Sequence, residues 1–314
     1  MATMLSGAAV MDGALLVIAA DERCPQPQTR EHLAAVDIIG VKKIVIVQNK
    51  IDIVTREDSI KNFNEIKKFV KGSVAENAPI IPISAQHGVN IDVLLSMIEK
   101  HVPTPNRDFS KPPRMYILRS FDVNKPGTQV EELRGGVLGG SLIQGKFRVG
   151  DEVEIRPGLP VREKNKLVMH ELFTEILGLH AGGVMVEEAL PGGLIGIGTA
   201  LDPSVTKSDG LVGSMIGKPG ALPPVLNDLT LDVNIFNTVI GSQEMEKVEE
   251  INKGETLLFN VGTSKTTGIV SYISKDRLEA SLSIPICGEM GDRVAISRRI
   301  SGRWRLIGVG VLRG

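Results

Sequence analysis

An α/β segment built on a parallel sheet, followed by two β-barrel domains, is the fold class this sequence predicts. Three observations carry that expectation. The 34 glycines are unevenly spread, with five in residues 1–109, nineteen in 110–220 and ten in 221–314. Glycine-dense chain with short apolar runs reads as tightly turning β structure, because glycine enters left-handed turns without steric cost. The glycine-poor opening alternates short apolar runs with helical repeats, the pattern of a parallel sheet with crossover helices. Prolines clustered at 103–113 and 218–224 then divide the chain into residues 1–110, 111–219 and 220–314.

In order along the chain, residues 13–20 are a continuous apolar run ending at Asp21, the pattern of a strand covered on both faces. Thr29 is placed to cap a helix whose Leu33, Val36, Ile38 and Ile39 follow helical spacing and stop at Gly40. Residues 43–48 form a second buried strand, ending at Asn49. Asp58 or Ser59 starts the next helix, through Ile60, Phe63, Ile66, Phe69 and Val70, and Gly72 stops it. Residues 78–83 give a third strand, and Asn90 caps a helix through Ile91, Leu94, Leu95 and Ile98. A strand at 114–120 opens the first barrel, 149–155 read as a turn into an alternating strand, and glycine-bounded strands run to Gly217. Strands at 229–236, 255–261, 267–273, 277–282 and 293–297 supply the second barrel.

Composition narrows the setting. Lys plus Arg total 36 against 37 Asp plus Glu, a net charge of −1, which excludes a protein that grips nucleic acid by bulk charge alone. With 42% apolar and 23% charged residues the chain is of the folded class. Its longest apolar run, 13–20, is strand-length, and no basic segment precedes it, so neither a membrane span nor a secretory signal is expected. Cys24 and Cys287 make neither a disulfide framework nor a zinc cluster. An intracellular, cytoplasmic setting is expected.

Ligands of open α/β sheets bind beyond the carboxyl ends of the strands, and the informative residues stand there. The second strand ends in Asn49, Lys50, Ile51 and Asp52, and the third in Ser84, Ala85 and Gln86. Together these types can build a guanine pocket. The Asp52 carboxylate can accept from guanine N1–H and the exocyclic amine, a donor pair that adenine lacks. The Asn49 amide can reach the purine N7 edge or brace the loop, the Lys50 stem can lie along the ring, and the Ala85 N–H can donate to O6. A loop that merely holds four common polar residues is the bland alternative, and the Ser-Ala pair after the very next strand argues against it.

A nucleotide site also needs a phosphate end, which the G-x-x-x-x-G-K-[ST] loop supplies elsewhere. The nearest match, Gly140 to Gly145 with Lys146, continues with Phe147 and lies in the glycine-rich part, where a hairpin is expected. Asp37 to Gly40 imitates a magnesium-side Asp-x-x-Gly but sits at a helix end, and Asn252, Lys253, Gly254 and Glu255 precede their strand and carry Glu for Asp. All three are read as decoys.

The stretch Ala19, Ala20, Asp21, Glu22, the run 25–32 and the Asn49–Asp52 motif resemble the later half of a translational GTPase domain. Residues 119–127, 135–140, 149–158, 297–299 and 304–308 look like the gamma subunits of translation initiation factor 2, with short spacers that favour the archaeal form. The resemblance implies a partial P-loop GTPase domain, GTP or GDP held by its guanine end, and nucleotide contacts at Asn49, Lys50, Asp52, Ser84, Ala85 and Gln86. It also implies initiator methionyl-tRNA, alpha and beta subunits and the small ribosomal subunit as partners. Family members begin with a P-loop, switches that bind Mg2+ and an Asp-x-Pro-Gly-His turn, none of which has a counterpart here. No Mg2+ ligand or catalytic residue is therefore assigned, and hydrolysis by this chain alone is not expected. A truncated gene or late start is expected, with the missing motifs encoded upstream in frame. GDP affinity at least about a thousandfold below a complete domain follows, as the loss of ~4 kcal/mol. The first strand would then be an exposed edge.

Residues 291–314 hold six arginines against Asp292 alone, readable as a solvated barrel face or as a phosphate-contacting surface for tRNA or ribosome. His170 and His180 are read as surface or strand histidines, and Cys287 as a small core residue beside Pro285. Two other classes are kept open: another translational GTPase such as a selenocysteine-specific elongation factor, and a non-hydrolysing module that binds tRNA or subunits.

Overall fold

The computed structural model describes residues 4, 5, 7, 9–163, 166–240 and 247–313. Its first part alternates β1 (Ala14–Ala19), α1 (Pro27–Ile39), β2 (Ile44–Asn49), α2 (Arg56–Val70), β3 (Ile80–Pro82) and α3 (Ile91–His101). The three strands are parallel in the order β1-β2-β3, with Ala19 opposite Asn49 and Gln48 opposite Pro82. All carboxyl ends therefore emerge on one side. β2 is central and apolar on both faces, with Ile44, Val45, Ile46 and Val47 all buried. β1 lies at the sheet edge, as expected for the first strand, and is not covered on both faces as its apolar run suggested: Leu16 and Ile18 are buried, while Leu15 and Val17 are 46% and 58% exposed. β3 is shorter than 78–83, because Pro79 and Pro82 have no N–H to extend the ladder.

The helix starts differ from expectation for local reasons. α1 begins at Pro27 after Gln26, not at Thr29, since proline's fixed φ suits the first helical position. α2 is capped by Thr55, whose Oγ1 accepts the Asp58 N–H at 3.1 Å, so Asp58 lies inside the first turn. Asn90 does precede α3, but in a left-handed conformation, and its amide donates to the Pro82 carbonyl at 2.8 Å rather than to the helix. Gly40 ends α1 in the left-handed region at φ 83°, as its position suggested.

The first barrel comprises β4 (Arg114–Phe121), β5 (Val137–Gln144), β6 (Phe147–Arg148), β7 (Glu152–Glu163), β8 (Lys166–Ala181), β9 (Val184–Val186), β10 (Glu188–Ala189), β11 (Ile195–Thr199) and, after the one-turn α4 (Pro203–Thr206), β12 (Met215–Gly217). The order β11-β5-β4-β12-β7-β8 closes through the β8–β11 pairing, around Met115, Ile117, Leu138, Phe147, Ile155 and Ile197. The Gly140–Gly145 decoy is β5 and its turn, and a Cβ at Gly140 would strike the Tyr116 carbonyl. His170 and His180 lie on β8.

The second barrel is β13 (Val225–Ile240), β14 (Thr256–Val261), β15 (Ser264–Ile273), β16 (Arg277–Cys287), β17 (Arg293–Ile300) and β18 (Arg303–Leu312), closed in the order β13-β16-β15-β14-β17-β18. Five strands were expected, most of them shorter; β18 is the sixth and pairs with both β17 and β13. Phe259, Leu229, Leu278 and Ile296 fill the interior, and Cys287 is buried beside Met215 and Leu222.

The barrels and the α/β part are joined by specific contacts. The Arg114 guanidinium donates to both Glu289 oxygens at 2.9 and 2.8 Å, tying β4 to the turn after β16. Arg293 Nη1 donates to the Asp37 and Ile38 carbonyls at 3.3 and 2.9 Å, completing orphan acceptors at the C-terminus of α1. Arg305 pairs with Glu31, and Leu5, Ala35, Ile38, Ala295 and Leu306 pack between these contacts. The Asp37 decoy is thus an interface residue.

Candidate guanine-nucleotide site

The two strand ends that carry the motif residues meet. Asn49 closes β2, and its Oδ1 accepts the Ala85 N–H at 3.1 Å. Of the two roles open to this amide, bracing is the one seen, and it binds the two loops together. Lys50 follows at φ 67°, a left-handed residue that turns the chain sharply back. Ile51 to Ile53 form a single 3-10 turn, and the Ile51 N–H donates to the Ile83 carbonyl at 3.3 Å. Asp52 is thereby lifted to the rim, an exposed residue whose side chain itself is 22% accessible.

The second loop is equally constrained. Ser84 and Val89 exchange backbone hydrogen bonds of 3.3 and 3.0 Å, which closes residues 84–89 into a tight turn with Gly88 at φ 68°. Ser84 is buried; Ala85 and Gln86 are exposed. The Ser84 hydroxyl beside Asp52 holds its carboxyl below the usual carboxylate range. The Ser84 Oγ also accepts the His87 N–H at 3.2 Å, and His87 Nε2 stands 3.6 Å from Asp52 Oδ2. An acceptor pair at Asp52 thus stands beside the backbone N–H groups of 85–87, of which those of Ala85 and His87 are engaged by Asn49 Oδ1 and Ser84 Oγ, an arrangement that can complement a guanine edge. The Ala85 N–H is already engaged by Asn49, so its donation to O6 requires a shared bond.

Sequence reasoning did not identify Asp21 or His87 as members of this neighbourhood. Asp21 Oδ2 accepts from Lys50 Nζ at 3.1 Å. The signal for it was available in principle, since Asp21 follows β1 as Lys50 follows β2 and the two ends are in register. Beside the loop lies a cleft of about 1430 Å³, lined by Val17, Asn49, Lys50, the first turn of α1 and Arg303 and Arg305 of β18. The C-terminal arginines are mostly engaged. Arg298 pairs with Glu255, Arg305 with Glu31 and Arg313 with Asp232, while Arg293 holds α1. The local positive excess is thus offset by acids distant in sequence, and of the six arginines in this described C-terminal stretch only Arg299 and Arg303 have no ion pair or hydrogen bond from their guanidinium. Among the described residues no three His, Cys, Asp or Glu side chains gather to hold a metal ion. They do not fit a magnesium site. Among the described residues no helix is long and apolar enough to cross a membrane.

Comparison with known proteins agrees with this architecture. Residues 1–104 match the family model described as the elongation factor Tu GTP binding domain, and residues 227–312 the one described as initiation factor eIF2 gamma, C terminal. The chain is 59% identical over 313 residues to translation initiation factor 2 subunit gamma of Pyrococcus furiosus, covering all of this chain and 76% of that protein. The same-named protein of Methanocaldococcus jannaschii is 56% identical over 314 residues, again with 76% of it covered. Among solved structures, the elongation factor SelB of Methanococcus maripaludis in complex with the GTP analogue GppNHp superposes with a TM-score of 0.78 at 20% identity, covering 99% of this chain and 67% of that one. A bacterial selenocysteine-specific elongation factor gives 0.77 at 24% identity, with 98% and 46% covered. Likeness at that identity is one of fold alone.

Proposed function

The chain belongs to the family of translation initiation factor 2 gamma subunits, translational GTPases, and from that premise we propose that it recognises guanine nucleotide at the β2 and β3 ends in the service of delivering initiator methionyl-tRNA to the small ribosomal subunit. The observation that carries the reading is the Asn49 Oδ1–Ala85 N–H brace that binds the two loops together, with the Asp52 carboxylate on their rim 3.6 Å from His87 Nε2. In this reading Asp52 accepts from guanine N1–H and its amine, Lys50 covers a ring face, and Asn49, Ile51, Ser84, Ala85 and Gln86 shape the two walls. A GTPase-type domain over residues 1–110 and barrels over 111–219 and 220–314 form the working units. Alpha and beta subunits complete the assembly in the cytoplasm. Magnesium belongs with the nucleotide phosphates in the family, and no residue of this chain is assigned to it.

Titration with GDP and ADP tests the nucleotide reading. Mispairing at Asp52 is worth roughly 1–3 kcal/mol, so GDP should bind at least about fivefold more tightly; equal affinities would overturn it. Filter binding with the alpha and beta subunits added should retain initiator methionyl-tRNA in preference to elongator methionyl-tRNA. Equal retention overturns the delivery role.

A further inference from the structure

Lys50 is held from outside its own motif, by a residue on the neighbouring strand end that is itself pinned on both sides. Before Asp21, the Ala20 N–H donates to the Asn49 carbonyl at 2.8 Å; after it, the Glu22 carbonyl accepts from Asn62 Nδ2 at 2.8 Å. Asn62 is buried in α2 and in turn accepts from the buried Gln48 amide at 2.9 Å, which also donates to the Ser59 carbonyl at 2.8 Å. A buried chain of hydrogen bonds thus runs from β2 through α2 to the segment 20–22, and buried polar networks of this kind fix geometry when every member is satisfied. At the centre of that segment stands the exposed Asp21, whose Oδ2 meets Lys50 Nζ at 3.1 Å.

We propose that Asp21 is a positioning residue for nucleotide binding: it anchors the Lys50 ammonium at the β1 end, so that the lysine's aliphatic stem lies across the guanine pocket as a preformed platform for the purine. The inference rests on the reading of Asn49 to Asp52 as the base-recognition loop. A lysine left free would have to be ordered each time nucleotide binds, and ordering one long side chain weakens binding by a modest factor. As an exposed ion pair, Asp21–Lys50 adds little to folding stability. Its effect belongs in the binding constant.

The test is a double-mutant cycle on the full chain, with GDP affinity from NMR titration and Tm recorded in parallel. Asp21→Ala should weaken GDP about three- to tenfold with Tm unchanged, and Asp21→Glu should restore affinity to within about twofold. In a Lys50→Ala background, Asp21→Ala should have no further effect, since the coupled partner is gone. An unchanged affinity in Asp21→Ala, or a full additional loss in the Lys50→Ala background, overturns the proposal. Asp52→Ala separates the two levels. If it abolishes GDP binding while Asp21→Ala does nothing, only the role of Asp21 falls; if it changes nothing, the base site and this proposal fall together.

Discussion

Replacing Asp52 by Asn should turn the pocket from guanine towards xanthine. The wild-type carboxylate presents two acceptors, steadied by the Ser84 hydroxyl and without a full ion-pair partner, as His87 Nε2 is 3.6 Å away. Guanine offers it two donors, N1–H and the exocyclic amine. Asn presents one acceptor and one donor, so against guanine one amide hydrogen faces a donor. Xanthine carries a carbonyl where guanine has the amine, and pairs with Asn at both positions. Hydrogen bonds to a charged acceptor are worth about 1.5–3 kcal/mol each, and the solvent exposure of this site puts the pair near the lower end, roughly 3 kcal/mol in all. That corresponds to about a hundredfold. Competition between GDP and XDP for a fluorescent GDP analogue, in wild type and Asp52→Asn, measures it. The wild type should prefer GDP and the variant XDP, with the ratio inverted overall by about two orders of magnitude. A variant that still prefers GDP by the wild-type ratio would show that Asp52 does not read the base.

Three further outcomes follow from the same geometry. The Ser84 hydrogen bond lowers the Asp52 pKa, so the acceptor pair persists through the ordinary carboxylate range near about 4 and is lost only as pH falls below it; GDP affinity should be flat down to that range, and Ser84→Ala should move its decline to higher pH in the same titration. Burial pushes Cys24 up to about 11 and Cys287 to about 12, so a thiol reagent at about pH 8 should label neither in the folded protein and both in urea; rapid native labelling would place the thiols at the surface. Phe259 is fully buried and packs against Gly268 in the second barrel, so Phe259→Ala should cost about 3–5 kcal/mol in denaturant unfolding, and a loss under about 1 kcal/mol would mean that the cavity collapses or that the ring is not in the core.

Much of the site was legible because its residues obey a positional rule. Asn49 to Asp52 and Ser84 to Gln86 each follow a recognisable apolar strand, and parallel sheets put such ends side by side. Asp21 was not legible, since its role comes from the register of β1 against β2 and from a buried amide on α2. The helix starts slipped because a Thr55 hydroxyl and a proline at position 27 act before the polar residues that propensity favours. β18 was hidden by its glycines, which propensity counts against a strand. In the fold Gly308 and Gly310 allow close approach, since a Cβ at either would crowd Ile235 or Leu231 of β13. The arginine-rich tail looked like a free positive face because its partners are not sequence neighbours, Glu255 lying 43 positions from Arg298 and Glu31 274 positions from Arg305.

The way β18 closes the second barrel sets an order of birth. β13 pairs with β16 on one side and β18 on the other, with Leu231 opposite Leu312, so the ring cannot shut until its last strand has been synthesised. The first barrel needs nothing beyond Gly217 for its own closure. On a ribosome adding about 5–20 residues per second, the two barrels therefore finish seconds apart, and in that interval the nascent β13 carries an open edge. The arginine-bearing β17–β18 hairpin that clasps α1 is made after every other strand of the two barrels, so the joint between the α/β part and its barrel is sealed only once β18 has emerged.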